Sequence, residues 1–299
     1  MMPASSHTTL RGQLLINEPM SRHTSWRVGG PAERLYIPAD IDDLAAFLAT
    51  LPSQEPVHWV GLGSNLLVRD GGVRGVVIIT SGALSGLSDL GDAVVRAESG
   101  VAGAKVARFC AERELTGAEF LAGIPGTVGG ALAMNAGAFG GETWKIVEAV
   151  ETIDRHGERR TRKPKDFQID YRKVEGPRGE WFVAAHFRLA RGDTVNGKTL
   201  IKTLLAKRGA TQPTQLPNAG SVFKNPPGDH AARLIEASGL KGTCEGKACV
   251  SNLHANFIVN QGGASAADIE RLISRIQATV ENLHGVSLVP EVRVIGDLT

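Results

Sequence analysis

Apolar positions recur at helical spacing in some stretches of the chain and gather into short β-like runs in others. After Asp40, the residues Ile41, Leu44, Ala45, Leu48 and Leu51 form a stripe at 3.6-residue intervals, with Asp43 in the first turn. This predicts an amphipathic helix capped by Asp40. The run Val57, His58, Trp59, Val60 predicts a strand, and Val76 to Ile79 a second, with the glycine-rich stretch 61–75 between them. Val106, Phe109 and Cys110 mark one face of a further helix. Toward the end, Ser265 and Asp268 make a capping-box-like start for a helix carrying Ile269, Leu272, Ile273, Ile276, Val280 and Leu283, with Gly285 as its stop. That helix is expected to pack on a sheet containing 257–259 and an alternating strand over 286–295.

Composition narrows the class without naming it. Of 299 residues, 42% are hydrophobic and 21% charged, as in ordinary globular proteins of one large domain or two or three small ones. With 33 basic and 31 acidic side chains the net charge is +2. No electrostatic footprint for nucleic acid or an anionic membrane is present, although a small anionic ligand is compatible. Nowhere do about 18 uninterrupted apolar residues occur. The first fifteen residues, with Ser5, Ser6, His7 and Arg11, contain no apolar core of secretory length. A cytoplasmic protein is expected. Cys110, Cys244 and Cys249 cannot all pair and lack zinc-site spacing. They are expected as free thiols without a metal, Cys110 as a small core hydrophobe.

Two glycine-rich segments carry candidate binding chemistry. Gly61 and Gly63 remove side chains that would block an anion, and Ser64 with successive amides can donate to it. The β-branched residues after Gly75 argue against the helix that a Rossmann site would need. In 123–138, Gly126, Gly129 and Gly130 with Ala131 and Ala133 form a side-chain-poor surface, and Asn135 adds an amide. A flat or phosphorylated ligand could lie there; so could a closely packed pair of turns.

The segment 218–226, Asn-Ala-Gly-Ser-Val-Phe-Lys-Asn-Pro, sets the lone hydroxyl of Ser221 between a glycine and an apolar pair. Alone it could be a turn in which serine caps the backbone. Together with the glycine segments, however, it resembles the UDP-N-acetylenolpyruvoylglucosamine reductases. The likeness extends to His23-Thr-Ser-Trp-Arg-Val-Gly-Gly30, Asp170-Tyr-Arg172, His254-Ala-Asn-Phe-Ile-Val-Asn260 and Pro290-Glu-Val-Arg293, and so covers almost the whole chain in the family's order.

The resemblance implies an α+β fold: a two-subdomain FAD-binding region of p-cresol methylhydroxylase type and a C-terminal α+β substrate-binding domain. The expected divisions are 1–82 with the terminal strand 292–299, then 83–200, then 201–291. FAD is expected to be held noncovalently, without attachment to His23. Its implied contacts are Gly61, Leu62, Gly63, Ser64, Asn65 and Leu66, then Gly123, Ile124, Pro125, Gly126, Thr127, Gly129, Gly130, Ala133 and Asn135.

The implied reaction is NADPH-dependent reduction of UDP-N-acetylglucosamine enolpyruvate to UDP-N-acetylmuramate for peptidoglycan. Ser221 matches the family's proton donor, Arg172 the support for the enolate or carboxylate, and Glu291 the third catalytic position. Tyr171, Asn218, Lys224 and Asn225 are expected to touch substrate. No nucleic-acid or membrane partner is expected, and a monomer is anticipated.

About fifty residues separate Arg172 from Ser221, as in the shorter subclass lacking an inserted tyrosine loop. Cys249 stands where the family more often has glutamine. Two other readings are a different FAD-dependent oxidoreductase of this fold and a noncatalytic flavin- or sugar-nucleotide-binding protein. Neither is expected to keep Ser221, Arg172 and Glu291 together.

Overall fold

A computed structural model describes residues 10–298; Ser5, Ser6 and His7 of the N-terminal expectation lie outside the described residues. Strands β1 (Gln13–Pro19), β2 (Pro31–Ile37), β3 (Val57–Val60), β4 (Leu66–Val68) and β5 (Val73–Ile79) open the chain, with helix α1 (Ile41–Thr50) after β2. The first sheet runs β1-β2-β5-β3. Its β2–β5 and β5–β3 pairs are parallel, a geometry that needs crossover connections. Helix α1 is one of them. Asp40 caps it by accepting from Asp43 N at 2.8 Å, and Leu44 and Leu48 are buried against Val76 and Ile78.

A second, antiparallel sheet follows from β6 (Leu87–Asp89) and β7 (Val94–Glu98). It is completed by strands Val147–Asp154, Arg159–Arg162 and Glu180–Arg188, in the order Arg159–Arg162, Val147–Asp154, Glu180–Arg188, β7, β6. Helices α2 (Gly103–Ala111) and α3 (Val128–Ala133) contribute Val106, Cys110, Val128 and Leu132 to the core over this sheet. Phe109 is only partly buried, with the Arg113 guanidinium 3.4 Å from its ring centroid.

Helix α4 (Thr194–Thr211) has no sequence-level signal, because its apolar residues do not fall on one face and only Gly197 and Ile201 are buried. The C-terminal part holds α5 (Ala231–Ala237), α6 (Ala266–His284) and a three-stranded sheet of Cys244–Glu245, Ala248–Val250 and Ile258–Asn260. Helix α6 has the expected reciprocal cap, Ser265 Oγ accepting from Asp268 N and Asp268 Oδ2 from Ser265 N. It ends at Gly285 in the left-handed conformation, φ +67°. Asp70 supplies a second cap, accepting from Ala266 N and Ala267 N at 2.9 and 3.0 Å.

Two expectations fail here. The alternating residues of 286–295 do not make one strand: only Arg293–Ile295 is a strand, paired in parallel with β4. The residues before it pair with the serine segment instead, Lys224 N donating to Val289 O and Glu291 N to Val222 O. Backbone groups satisfied by a loop leave no ladder to continue. Nor are Cys244 and Cys249 free thiols. Their strands pair antiparallel with these two residues directly opposite, Cα atoms 4.1 Å apart, and a disulfide joins them. The pairing depends on a turn at Gly246, φ +55°, that cysteine spacing alone does not announce. Cys110 is free and buried, as expected.

Candidate active site

The loop after β3 turns back under the segment 23–28. A Cβ on Gly63, whose φ is +67°, would lie 2.1 Å from His23 O, and Ser25 N donates to Gly63 O. The buried Trp26 fixes that segment to the C-terminal sheet: its Nε1 donates to Ile258 O at 2.7 Å, and Asn260 Nδ2 donates to Trp26 O at 2.9 Å. The family-like stretch 23–30 is therefore a brace. His23 Nε2 lies 3.1 Å from Glu18 Oε1, and His23 lines none of the cavities described below.

Both glycine segments face one cleft. A cavity of about 430 Å³ is lined by Trp59, Val60, Gly61, Leu66, Thr80, Ser99, Gly129, Gly130, Ala133, Trp181 and Phe182, among others. It continues into one of about 140 Å³ along Gly61 to Leu66 and Ile124 to Thr127. The approach is close enough that a Cβ on Gly61 would fall 2.3 Å from Thr127 Oγ1. Gly126 takes a φ of +152° that disfavours any side chain, and a Cβ on Gly130 would meet nothing nearer than 3.8 Å.

Buried polar groups on these walls have no protein partner: Ser99 Oγ, Thr127 Oγ1 and Trp59 Nε1. Such groups cost stability unless something polar satisfies them. Backbone-rich walls, orphaned donors and flanking aromatic rings suit a dinucleotide with flat rings, and so fit FAD. Asn135 is different. Its amide is turned into the protein, donating to Glu142 Oε2 and Asp170 O and accepting from Trp144 N, and it supports the loop that carries Arg172.

A third cavity, about 210 Å³, shares Ser64, Asn65, Ile124 and Pro125 with the cleft and is also lined by Arg172, Ser221 and Glu291. Three residues distant in sequence thus meet where the cleft ends. Their placement follows from backbone contacts. Asn256 clamps the serine segment, accepting from Phe223 N at 2.9 Å and donating to Phe223 O at 2.8 Å. Glu291 N donates to Val222 O at 2.7 Å, while Asn65 Nδ2 donates to Glu291 O at 3.1 Å. One asparagine of the glycine loop thereby positions the carboxylate residue.

Arg172 adopts a left-handed backbone, φ +55°, and its Nη2 donates to Gly137 O at 2.9 Å. The Glu291 side chain is 9% exposed, with Oε1 3.3 Å from Arg172 Nε. Burial raises its pKa above the ordinary 4.5, and Arg172 and Lys224 pull against that rise without cancelling it. The Arg172 Nε–H has no aligned acceptor. The contact is therefore ionic rather than a formed hydrogen bond, and a donor remains for another group.

Other expected contacts have local duties. Asn218 Nδ2 donates to Pro213 O and Leu216 O while its Oδ1 accepts from Gly220 N, so it shapes the turn that presents Ser221. Asn225 Oδ1 accepts from Ala231 N at the start of α5. Tyr171 is exposed. Lys224 is near enough to Glu291 to lower its pKa. Phe139, Gln212 and Phe257 line this third cavity without having been singled out in the sequence as site residues; Phe139 and Phe257 lie in segments that the family resemblance covers, and Gln212 does not.

Residues 32–162 match the family described as FAD binding domain, and 212–295 match that described as UDP-N-acetylenolpyruvoylglucosamine reductase, C-terminal domain. A protein named UDP-N-acetylenolpyruvoylglucosamine reductase from Methylococcus capsulatus is 61% identical over 96% of this chain and 94% of its own. This chain belongs to the UDP-N-acetylenolpyruvoylglucosamine reductase family. A reductase of the same name from Alkalilimnicola ehrlichii is 58% identical over 99% of both chains. The crystal structure of the reductase from Thermus caldophilus is 33% identical, with a TM-score of 0.81 over 96% of this chain and 99% of that one. Family membership makes FAD the cofactor, a group that the walls of the cleft fit. The α+β architecture, an FAD-binding region followed by the reductase C-terminal domain, is the one expected from the sequence.

Proposed function

We propose that this protein reduces UDP-N-acetylglucosamine enolpyruvate to UDP-N-acetylmuramate with NADPH as reductant, and that Arg172, Ser221 and Glu291 do the work at the substrate carbon. The carrying observation is their convergence on one cavity that opens from the glycine-walled cleft. When bound along Gly61 to Leu66 and Gly123 to Ala133, FAD would supply hydride transfer between NADPH and the enolpyruvyl group.

Addition to the vinyl carbon leaves enolate character next to the substrate carboxylate, which needs counter-charge and then a proton. Arg172 supplies fixed positive charge and an unused Nε–H for an oxygen of that group. Ser221 is placed to deliver its hydroxyl proton to carbon. Glu291, whose burial favours the protonated form, can donate a hydrogen bond to the developing oxyanion or polarise the network through Arg172. Phe139 and Phe257 give the cavity an apolar side.

Within this reading the divisions 1–82 with 292–299, 83–200 and 201–291 are an FAD-binding pair of subdomains and a substrate domain. One buried cluster lies almost wholly within 83–200 and supports that division, while Ile153 and Val183 pack with Leu44 and Ile78 of the first division, and Trp26, Val28 and Leu67 pack with the C-terminal cluster. The same reading takes the protein as a monomer acting in the cytoplasm. Among the described residues no helix is long and apolar enough to cross a membrane.

Anaerobic titration tests the reading. NADPH should bleach the flavin absorbance, and the enolpyruvyl sugar nucleotide should restore it with formation of the lactyl ether. Reoxidation by molecular oxygen alone, with the sugar nucleotide inert, would favour a different oxidoreductase of this fold.

A further inference from the structure

The C-terminal sheet carries a second kind of chemistry. Glu245 and Ala248 pair across the turn Gly246-Lys247, and Cys244 and Cys249 are the next opposed pair. Cys249 in turn stands opposite Val259, and Val259 forms an isolated antiparallel bridge with Asn218. Residues directly opposite in paired strands point to one face, so Cys244, Cys249 and Val259 make one row across the sheet that ends on Asn218. Ala248, Val250 and Ile258 alternate with that row and pack into the core with α6. Where the row ends, the turn that presents Ser221 begins: Asn218 Oδ1 accepts from Gly220 N at 3.0 Å, and Asn260 N donates to Pro217 O at 2.9 Å beside it.

The two ends of the disulfide differ. Cys244 is exposed and Cys249 buried, so Cys244 is the end that a thiolate from solution can reach. The hairpin does not depend on the bridge: Val250 N donates to Thr243 O at 2.9 Å and Gln261 N to Lys247 O at 3.0 Å, while Arg275 Nη1 on α6 donates to Glu245 Oε1 at 2.9 Å. Opening the bridge therefore loosens the row without unfolding the sheet. Cys110 does not compete, because burial pushes its thiol pKa up to about 12. In the cytoplasm taken above, a disulfide is ordinarily catalytic or redox-sensing rather than structural. We propose that Cys244–Cys249 is a reversible exchange site for low-molecular-weight thiols and their disulfides, and that its state sets how firmly the Asn218 turn holds Ser221. The part that concerns Ser221 rests on the reading above. In the opening direction a thiolate bonds to Cys244 Sγ, the Cys244–Cys249 bond breaks, and Cys249 leaves as a thiolate that takes a proton from water. A second thiolate bonds to the sulfur of the first and frees Cys244, which is protonated likewise. Two electrons pass from two small thiols, which depart as their own disulfide, to the protein.

The FAD-loaded protein is equilibrated with glutathione buffers from fully reduced to fully oxidised, the free cysteines are alkylated in denaturant and identified by mass spectrometry, and parallel samples are freed of glutathione before assay. Cys244 and Cys249 are expected to label together in reduced buffer and to be protected together in oxidised buffer. On reduction, amide hydrogen exchange over 217–223 should quicken about 2- to 30-fold, and reoxidation of the reduced flavin by the enolpyruvyl sugar nucleotide should slow by a similar factor, the range for coupling carried through packed elements. Flavin reduction by NADPH, which needs no proton from Ser221, should change less. Cys244→Ala should show the reduced wild type's values at every glutathione ratio.

A bridge that stays closed in the folded protein under reduced glutathione and dithiothreitol, or cysteines that stay free in oxidised glutathione, would overturn the proposal. So would a bridge that opens and closes with no change in amide exchange over 217–223. If Cys244→Ala fails to fold, the reduced wild type decides, since it carries no substitution. Faster exchange over 217–223 on reduction, in a protein that leaves the enolpyruvyl compound untouched in both states, would sink the enzymatic reading and leave the redox coupling standing. Normal turnover that is indifferent to the state of the bridge would do the opposite.

Discussion

Glu291 Oε1 and Arg172 Nε are 3.3 Å apart, yet the two are not aligned as donor and acceptor. A tightly formed pair would neutralise both groups; this one leaves a buried carboxyl with a raised pKa beside a cation that still has a proton to share. Arg172→Lys and Glu291→Gln are therefore expected to slow substrate reduction more than they weaken substrate binding, because their interactions strengthen as charge develops. Single-turnover reoxidation and substrate affinity, measured separately, check this. A loss confined to affinity would make both residues anchors.

The same carboxyl gives a pH-dependent stability. Its folded pKa is raised, so its contribution is fully present below the unfolded value near the ordinary 4.5 and is lost as pH rises through the folded value. Glu291→Gln removes that loss. The variant should match the wild type in acid and gain on it in Tm toward neutral pH. A Tm difference that stays flat with pH contradicts the assignment.

Ser221→Ala should leave flavin reduction by NADPH nearly intact and slow the return of electrons to substrate by roughly 10² to 10⁴, the range for a lost general acid. Stopped-flow reoxidation at the wild-type rate removes Ser221 from the chemistry.

Gly126→Val places a branched side chain at φ +152° with its Cβ 3.0 Å from Ser64 Oγ. A pale protein with reduced FAD content is expected, read from the flavin-to-protein absorbance ratio. Full occupancy at unchanged affinity would move the cofactor elsewhere.

Asn256→Ala strands Phe223 N and O, both buried, and should cost about 2–4 kcal/mol in chemical denaturation. Asn256→Asp keeps only the acceptor and should fall between. Equal stability of Asn256→Ala and wild type would show that the clamp contributes nothing.

What the sequence disclosed depended on whether a signal was local. The caps at Asp40, Ser265 and Gly285 need only neighbouring residues, and each is found where its spacing places it. The β-branched run after Gly75 rightly excluded a Rossmann helix, although the short strand β4 between the glycines was too brief to register. By contrast, the Cys244–Cys249 bridge required knowing a strand register, and the inward turn of Asn135 required knowing where Glu142 and Asp170 would lie. Gln212 escaped notice because α4, which it ends, has no apolar stripe to mark its faces. The convergence of Arg172, Ser221 and Glu291 could be expected from family resemblance; spacing alone gave no route to it.

The parallel pairing of β4 with Arg293–Ile295 has a consequence for how independent the two binding surfaces are. Leu66 to Val68, directly after the glycine loop, take their partner from a strand beyond the whole of the C-terminal helical region, and Asn65 is tied through its side chain to Glu291 and through its carbonyl to Arg293. The glycine loop and the carboxylate residue therefore share one backbone support, and a substitution that loosens 291–295 would be felt at the wall of the glycine-lined cleft as well as beside Arg172.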